Sequence, residues 1–372
     1  MKAKRLLVLG IGYSQLDLIL EAKKLGYEVF ACSKTREGPG LHHVDGHRLI
    51  DVIDEVAIES YARELQVDAI YSLALEIAIP AINRVSKRLG LPYFVSEMTL
   101  DLISDKSAWR NQLADIAGNL KSMKFTDASE LSSWSCFPAI IKPVDGSGQR
   151  GVFQVHSLKE MRDRFEGSLS YSRSQAVIVE EYAFGEEVSI NAFLDEGRIV
   201  YSFLSDRVAY DEYPGGIIKA HLLPSKYAKT DVETKIQNMV VDICERMGFK
   251  EGHLYFQIKV HEDRPYLIEF TPRFDGCHMW KLIQHVTGIN LVSCALRSLM
   301  KEKPEGYTAP SWRRGQYVLE FFSDVPGTIV KRVNYHVPIN NACLNWYYED
   351  DERVKQVTGF MEKVGFCIYE AK

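Results

Sequence analysis

The 372-residue sequence is poor in several things, and each shortage removes a class of protein. Its seven cysteines are scattered and odd in number, and none forms a C-x-x-C pair. That pattern argues against a structural zinc site or a disulfide framework and fits a reducing cytoplasm. No apolar run approaches the length that spans a bilayer. An excess of positive charge is missing too: 45 Lys and Arg against 50 Asp and Glu leave a net charge of −5, with no general attraction to nucleic acid or anionic membrane. There is no internal repeat and no low-complexity tract, and 19 tyrosines with 5 tryptophans argue against disorder. There is no Ser-His-Asp or Cys-His motif of nucleophilic catalysis and no G-x-x-x-x-G-K-[ST] phosphate loop. The N-terminal "MKAKRLLVLGIGYSQ" reads better as a first β-strand entering a tight turn than as a secretory signal, because Gly10 and Gly12 break its apolar run and no small-residue cleavage site follows.

What is present is a change of pattern along the chain. The first hundred residues alternate strand and helix: "RLLVLGI", "YEVFACS", "VDAIYSLA" and "LPYFVS" as strands, "SQLDLILEAKKLG", "AIESYARELQ" and "AIPAINRVSKRLG" as helices. Such alternation predicts parallel strands with helical crossovers, a Rossmann-like layer. After "TLDLISDKSAWRNQLADIAG", which reads as helices, come "AIIKP", "GVFQVH", "AVIVEEY", "EVSINAFL" and "RIVYSFLS", a run of mostly antiparallel strands. "TDVETKIQNMVVDICERMG" and "KLIQHVTGINLVSCALRSLM" each read as one helix, and "QYVLEFF" and "GTIVKRV" as strands of a β-rich ending. Gly10 and Gly12 suggest a dinucleotide turn, but the third glycine of that fingerprint is Gln15, and the second strand ends in "FACSK" without the acid that would take the ribose. A nicotinamide-dependent dehydrogenase is therefore the weakest functional alternative.

Three segments carry the chemistry. In "KPVDGSGQRG", Lys142 stands on a strand and precedes Gly146, Gly148 and Gly151, whose backbone freedom lets amides approach an anion. An ordinary glycine turn is the competing reading. In "VIVEEYAFGEEVSINAF", Glu180, Glu181, Glu186 and Glu187 crowd one turn, a costly arrangement unless cations or donors offset the repulsion. In "LYFQIKVHEDRPYLIEFTPRF", a hairpin centred on Asp263 sets Gln257 opposite Glu269, and Thr271 and Arg273 share the Glu269 face if the strand runs through Pro272. An amide oxygen, a carboxylate and a hydroxyl form a hard-oxygen set suited to Mg2+.

Read jointly, a strand lysine, a glycine hairpin, "EEYAFGEEVS" and "IEFTPR" resemble the ATP-grasp superfamily, of the carboxylate–amine ligase type, with biotin carboxylase and the synthetase domains of the carbamoyl-phosphate synthetase large subunit as relatives. The resemblance covers roughly the first 300 residues. It implies an α/β and α+β chain: a Rossmann-like domain at 1–104, a small ATP-grasp subdomain with the glycine lid at 105–195, a large subdomain with the metal site at 196–305, and a β-rich lobe at 306–372. It implies that Lys106 and Lys142 contact ATP phosphates and that Gly146, Ser147, Gly148 and Gly151 fold over them. Glu180, with Glu181, Tyr182 and Ala183, would line the adenine pocket, and Glu187 would take the ribose. Gln257, Glu269 and Thr271 would hold Mg2+, or Mn2+ in its place, and Arg273 would face the reacting group, with Lys142 as its catalytic partner. Two positions depart from the family's commonest pattern: Gln257 replaces an acid, as it does in the carbamoyl-phosphate synthetase domains, and Thr271 replaces asparagine.

The implied reaction joins a small-molecule carboxylate to an amine through an acyl phosphate, giving an amino-acid or peptide-like product. Arg207, Lys219, His221 and His278 are the candidate substrate residues. Homodimerisation is expected by analogy, with no nucleic-acid or membrane partner. The alternative within the same fold is a nucleotide-binding protein without turnover.

Overall fold

The computed structural model describes residues 3–146, 148, 150–210, 216–302, 306–357 and 360–371. Its N-terminal layer holds β1 (Arg5–Leu9), α1 (Tyr13–Lys24), β2 (Glu28–Ser33), β3 (Gly46–Leu49), α2 (Glu55–Leu65), β4 (Ala69–Tyr71) and α3 (Ile79–Leu89). The strands are parallel, in the order β3-β2-β1-β4. This is the Rossmann-like layer expected, with one strand reassigned. "LPYFVS" is not a strand; Phe94 within it packs edge-on against Tyr71. The fourth strand is instead β3, "GHRL", whose half-exposed edge position needs no apolar run.

The turn after β1 is closed by its own sequence. Gly10 has φ +96°, and the Gln15 side chain fills the space beside it, accepting from the Gly12 N–H at 3.0 Å. The residue standing where a dinucleotide fingerprint wants its third glycine thus occupies the turn. Two short helices follow, α4 (Glu97–Ser104) and α5 (Lys106–Gln112), capped by Ser96 and Asp105.

The second sheet is small and antiparallel, built from β5 (Ser122–Phe125), β6 (Ala139–Pro143), β7 (Phe153–Val155) and β8 (Val177–Glu181) in the order β5-β8-β6-β7, with α6 (Leu158–Leu169) between β7 and β8. The glycine loop joins β6 to β7, two antiparallel strands, as the sequence suggested.

The third sheet is the largest. It comprises β9 (Glu186–Asp195), β10 (Arg198–Ala209), β11 (Ile218–Leu223), β12 (Gly252–His261), β13 (Arg264–Thr271), β14 (Tyr317–Asp324), β15 (Asn341–Trp346) and β16 (Glu362–Glu370). Helices α7 (Asp231–Met247), α8 (Met279–Thr287) and α9 (Leu291–Leu299) lie between them in sequence. The strand order is β13-β12-β9-β10-β11-β14-β16-β15, so the C-terminal strands extend the same sheet beside β11. "GTIVKRV" contributes only a single bridge, Ile329 to Arg353. "KLIQHVTGINLVSCALRSLM" is two helices and not one: α8 ends at Gly288, and Asn290 caps α9 by accepting from the Ser293 N–H. No helix among the described residues is long and apolar enough to cross a membrane.

Alternation decides what each face of this sheet does. Val188, Ile190, Ala192 and Leu194 of β9 are buried against Ile236, Val240 and Ile243 of α7. Each of the Val, Ile and Leu side chains stabilises the fold by about 1.5–3 kcal/mol relative to exposure. The intervening Glu187, Ser189 and Asn191 point to the other face, where Gln257 pairs with Ser189 and Ser189 with Ser205. One face of the sheet is therefore core, while the opposite face is polar at Glu187, Ser189 and Asn191 and apolar again from Phe193, which joins Tyr201 and Phe203 in a second core against α8 and α9.

Candidate active site

Lys142 near the end of β6 and Glu180 near the end of β8 lie diagonally on adjacent strands, Lys142 being opposite Ile178. Their side chains meet, Nζ to Oε2 at 2.6 Å, with Glu180 only 2% exposed. The other Glu180 oxygen accepts from Arg110 Nε at 2.9 Å. Burial would raise the Glu180 carboxyl, but Arg110 and Lys142 more than offset it and hold the group down to about 2. Lys142 sits below the ordinary lysine value: burial disfavours its charge, and Arg110 and Lys106 repel it, against the pull of Glu180.

The glycine loop is pinned at its base. Lys106 Nζ donates to the Gly146 carbonyl at 2.6 Å, and its backbone N–H donates to Val144 at 2.9 Å. Asp145 accepts from Ser172 Oγ and from the Arg173 and Ser174 N–H groups. Gly151 has φ +70°, and a Cβ there would lie 2.8 Å from Tyr171. Gly148 is exposed, with φ +69°. Ser147 lies outside the described residues.

Beyond Glu180 the chain leaves the sheet. The Glu181 and Tyr182 N–H groups are taken by the Lys121 and Pro138 carbonyls, so the Ala183 N–H is the unengaged donor of the three among the described residues. Gly185, with φ +99°, allows the following turn to touch β12, since a Cβ there would stand 2.0 Å from the Val260 carbonyl oxygen. Glu187 is held by Gln257 Nε2 at 3.2 Å and by an ion pair with Arg207 Nη1.

The expected pair of Gln257 and Glu269 forms, by a different route from simple symmetry about Asp263. The hairpin turn is the two residues Glu262 and Asp263, both left-handed, and His261 faces Arg264. Unbroken pairing from there would set Gln257 opposite Ile268. The register shifts between Gln257 and Ile258, Ile268 becomes the extra residue of a bulge, and Glu269 arrives opposite Gln257. Thr271 follows two residues on, on the same face and 7% exposed. β13 stops at Thr271, and Arg273 beyond it turns to Glu76 of the N-terminal layer, Nη2 to Oε2 at 2.7 Å, and to the Phe274 carbonyl. The condition attached to Pro272 is thus not met, and Arg273 does not extend the Glu269 face as a strand residue.

The donor set fits Mg2+. Gln257 directs its N–H toward Glu187, and its Oε1 accepts no hydrogen bond among the described residues. Glu269 is exposed, and no cluster of three His, Cys, Asp or Glu side chains is assembled among the described residues. One carboxylate with neutral oxygens suits a cation shared with phosphates, not one caged by protein.

The candidate substrate residues divide. Arg207 faces His221 across β10 and β11. His221 is fully buried with both ring nitrogens unpartnered among the described residues, and burial, Arg207 and Lys363 keep it neutral, well below the usual histidine range. The Asn191 side-chain amide and the Asp275 Oδ2 are likewise buried without a hydrogen-bond partner among the described residues. Lys219 is exposed, near the Tyr210 ring. His278 starts α8 and bonds Asp17 of α1 at 3.2 Å, beside Trp280 Nε1 at 3.0 Å and Lys281 at 2.7 Å on the same carboxylate. Sequence reasoning missed Arg110, Asp17 and Lys363. Arg110 lies in "DKSAWR", where only its place in a segment already singled out could have drawn notice.

Comparison with known proteins places this geometry. Residues 135–280 match the family model for the ATP-grasp domain. A formate-dependent phosphoribosylglycinamide formyltransferase from Prochlorococcus marinus is 28% identical over 187 residues, covering 48% of this chain and 47% of that protein. The chain thus spans about half the length of the curated relatives it matches. Among solved structures, the L-amino acid ligase from Bacillus licheniformis superposes with a TM-score of 0.80 at 18% identity, covering 99% of this chain and 93% of that one. The biotin carboxylase domain of Hydrogenobacter thermophilus 2-oxoglutarate carboxylase, crystallised with MgADP and bicarbonate, gives 0.82 at 15% identity, covering 100% and 87%. The structural likeness is one of fold over nearly the whole chain, and the domain match shows an ATP-grasp domain over residues 135–280.

Proposed function

We propose that the protein is an ATP-dependent carbon–nitrogen ligase that activates a small carboxylate as an acyl phosphate and joins it to an amine, giving an amino-acid or peptide-like product. The observation that carries this reading is the run of polar contacts from Lys142 through Glu180 and Arg110 to the carbonyls of Leu267 and Ile268, next to Glu269 and Gln257. It joins a phosphate-type lysine beneath a glycine loop to a hard-oxygen pair on a second sheet. In this reading residues 105–195 carry the lid and 196–305 the metal pair.

Lys106 and Lys142 bind the phosphates, the loop excludes water, and Glu187 and the Ala183 N–H orient the nucleoside. Gln257, Glu269 and Thr271 would hold Mg2+, which when bound would offset phosphate charge. One carboxylate oxygen of the substrate attacks the γ-phosphorus and ADP leaves. The amine then attacks the carbonyl carbon, and phosphate departs with that oxygen. A cleft of about 1000 Å3 between the N-terminal layer and the C-terminal strands, lined among others by Tyr13, His42, Tyr347, Arg353 and Lys363, offers room for substrate. Lys363 Nζ stands 3.4 Å from Cys277 Sγ, near enough to the buried Asp275 and His221 to act on both electrostatically, which supports placing Arg207 and His221 beside the substrate.

The test is release of ADP with a panel of carboxylates and amines. ADP formation that requires both a carboxylate and an amine supports the reading. Tight Mg·ATP binding with no turnover across the panel would favour the non-catalytic binder. Lys142→Ala and Glu269→Ala should each lower turnover by at least about 100-fold while the circular dichroism spectrum is unchanged. Near-normal activity in either would refute the site.

A further inference from the structure

Arg110 has no role in the reading above except as a link, yet it is the most engaged charged side chain near the site. It is 1% exposed, on α5, with its guanidinium 4.3 Å from the ring of its neighbour Trp109. Every donor nitrogen has a partner. Nε donates to Glu180 Oε1 at 2.9 Å, Nη1 to Asn119 Oδ1 and to the Leu267 carbonyl at 2.9 Å each, and Nη2 to the Ile268 carbonyl at 3.0 Å. Asn119 returns the contact, its Nδ2 donating to the Arg110 carbonyl at 2.9 Å. The Leu267 N–H is held from the same side by the Gly118 carbonyl at 2.8 Å.

These partners belong to two places with different tasks. Glu180 also holds Lys142, the lysine under the glycine loop. Leu267 and Ile268 form the bulge without which Glu269 would not face Gln257. We infer that Arg110 is a positioning residue that sets the metal pair and the phosphate lysine in one mutual geometry. It does so by clamping the Ile268 bulge with one edge of its guanidinium and neutralising Glu180 with the other.

The electrostatics point the same way. Without Arg110, Glu180 and Lys142 close into a neutral pair and the lysine charge is directed at its own carboxylate. With Arg110 the ionised trio carries net +1, so positive charge is left over for an incoming phosphate even though Glu180 is neutralised. A planar fork is required because the acceptors lie in different directions around it, which a lysine ammonium on a flexible stem reproduces for one partner only. Arg110→Lys therefore separates the two tasks: it preserves a cation for Glu180 and abandons the bulge carbonyls.

This inference rests on the proposed nucleotide and Mg2+ site, so the experiment contains a control for it. ADP is titrated calorimetrically into the full-length protein over a series of Mg2+ concentrations, for the wild type, Arg110→Lys and Asn119→Ala. If the wild type shows no Mg2+-dependent ADP binding, the site reading itself fails. Given wild-type binding, Arg110→Lys should raise the Mg2+ concentration for half-maximal binding by at least about tenfold, as supporting residues around metal sites commonly do. Its ADP affinity at saturating Mg2+ should stay within about threefold of wild type, a split that loss of stability alone would not produce. Asn119→Ala, which removes one anchor of the fork and keeps the arginine, should shift the Mg2+ dependence in the same direction by a smaller factor. It decides the matter alone if Arg110→Lys does not fold. Wild-type Mg2+ dependence in the folded variants would overturn the inference.

Discussion

Glu180 shows how much a single residue's meaning depends on what surrounds it. In sequence it is one of four carboxylates around a turn, and a solvated hairpin would account for it. In the structure it is enclosed by Arg110 and Lys142 and held ionised despite burial. The sign of its pH effect follows. Its folded value of about 2 lies below the ordinary 4.5, so its contribution to stability is fully present above about pH 4.5 and is lost as pH falls toward 2. Chemical denaturation of the wild type and Glu180→Gln between pH 7 and 2 should show a stability gap that is level above about pH 5 and shrinks below it. A gap of constant size would show that the carboxylate's charge is not what stabilises the site. Lys142, Gln257 and Glu269 were legible in sequence because glycine spacing and strand alternation mark them. Arg110 was not, because the carbonyls it clamps are more than 150 residues away in sequence and carry no side-chain signature.

At the scale of elements, the sheets were legible where alternation is strong and illegible where an element is short or polar. β9 and β12 follow from their apolar period, whereas β3 and β5 are four residues each, too short to show one. The break between α8 and α9 hid inside one continuous apolar period. The bulge at Ile268 left no mark at all, and the correct pairing of Gln257 with Glu269 came from counting about an assumed centre. The glycine loop offers a test at this scale. Gly151→Ala places a side chain at φ +70° and against Tyr171, and should destabilise the protein by about 1–2 kcal/mol in a denaturant titration. Gly148→Ala has a similar backbone angle but nothing near its Cβ, and should cost less. Equal losses would mean that contact with Tyr171 does not anchor the loop.

Over the whole molecule, the three sheets are tied to one another by side-chain contacts as much as by backbone. Arg110 joins the small sheet to the large one, Asp17 joins α1 to the start of α8, and Arg273 reaches Glu76. The last strands were the least readable part of the chain, since nothing in "QYVLEFF" says which sheet it extends. Their position beside β11 puts Lys363 in the lining of the cleft and so gives the C-terminal segment a place in the proposed site. The central claim is that this site activates a carboxylate with ATP. Once a turning-over carboxylate is found, it should be supplied with both oxygens as oxygen-18 and the released inorganic phosphate analysed by mass spectrometry. The account predicts one labelled oxygen per phosphate released. Phosphate free of label, formed at the same rate as product, would contradict it.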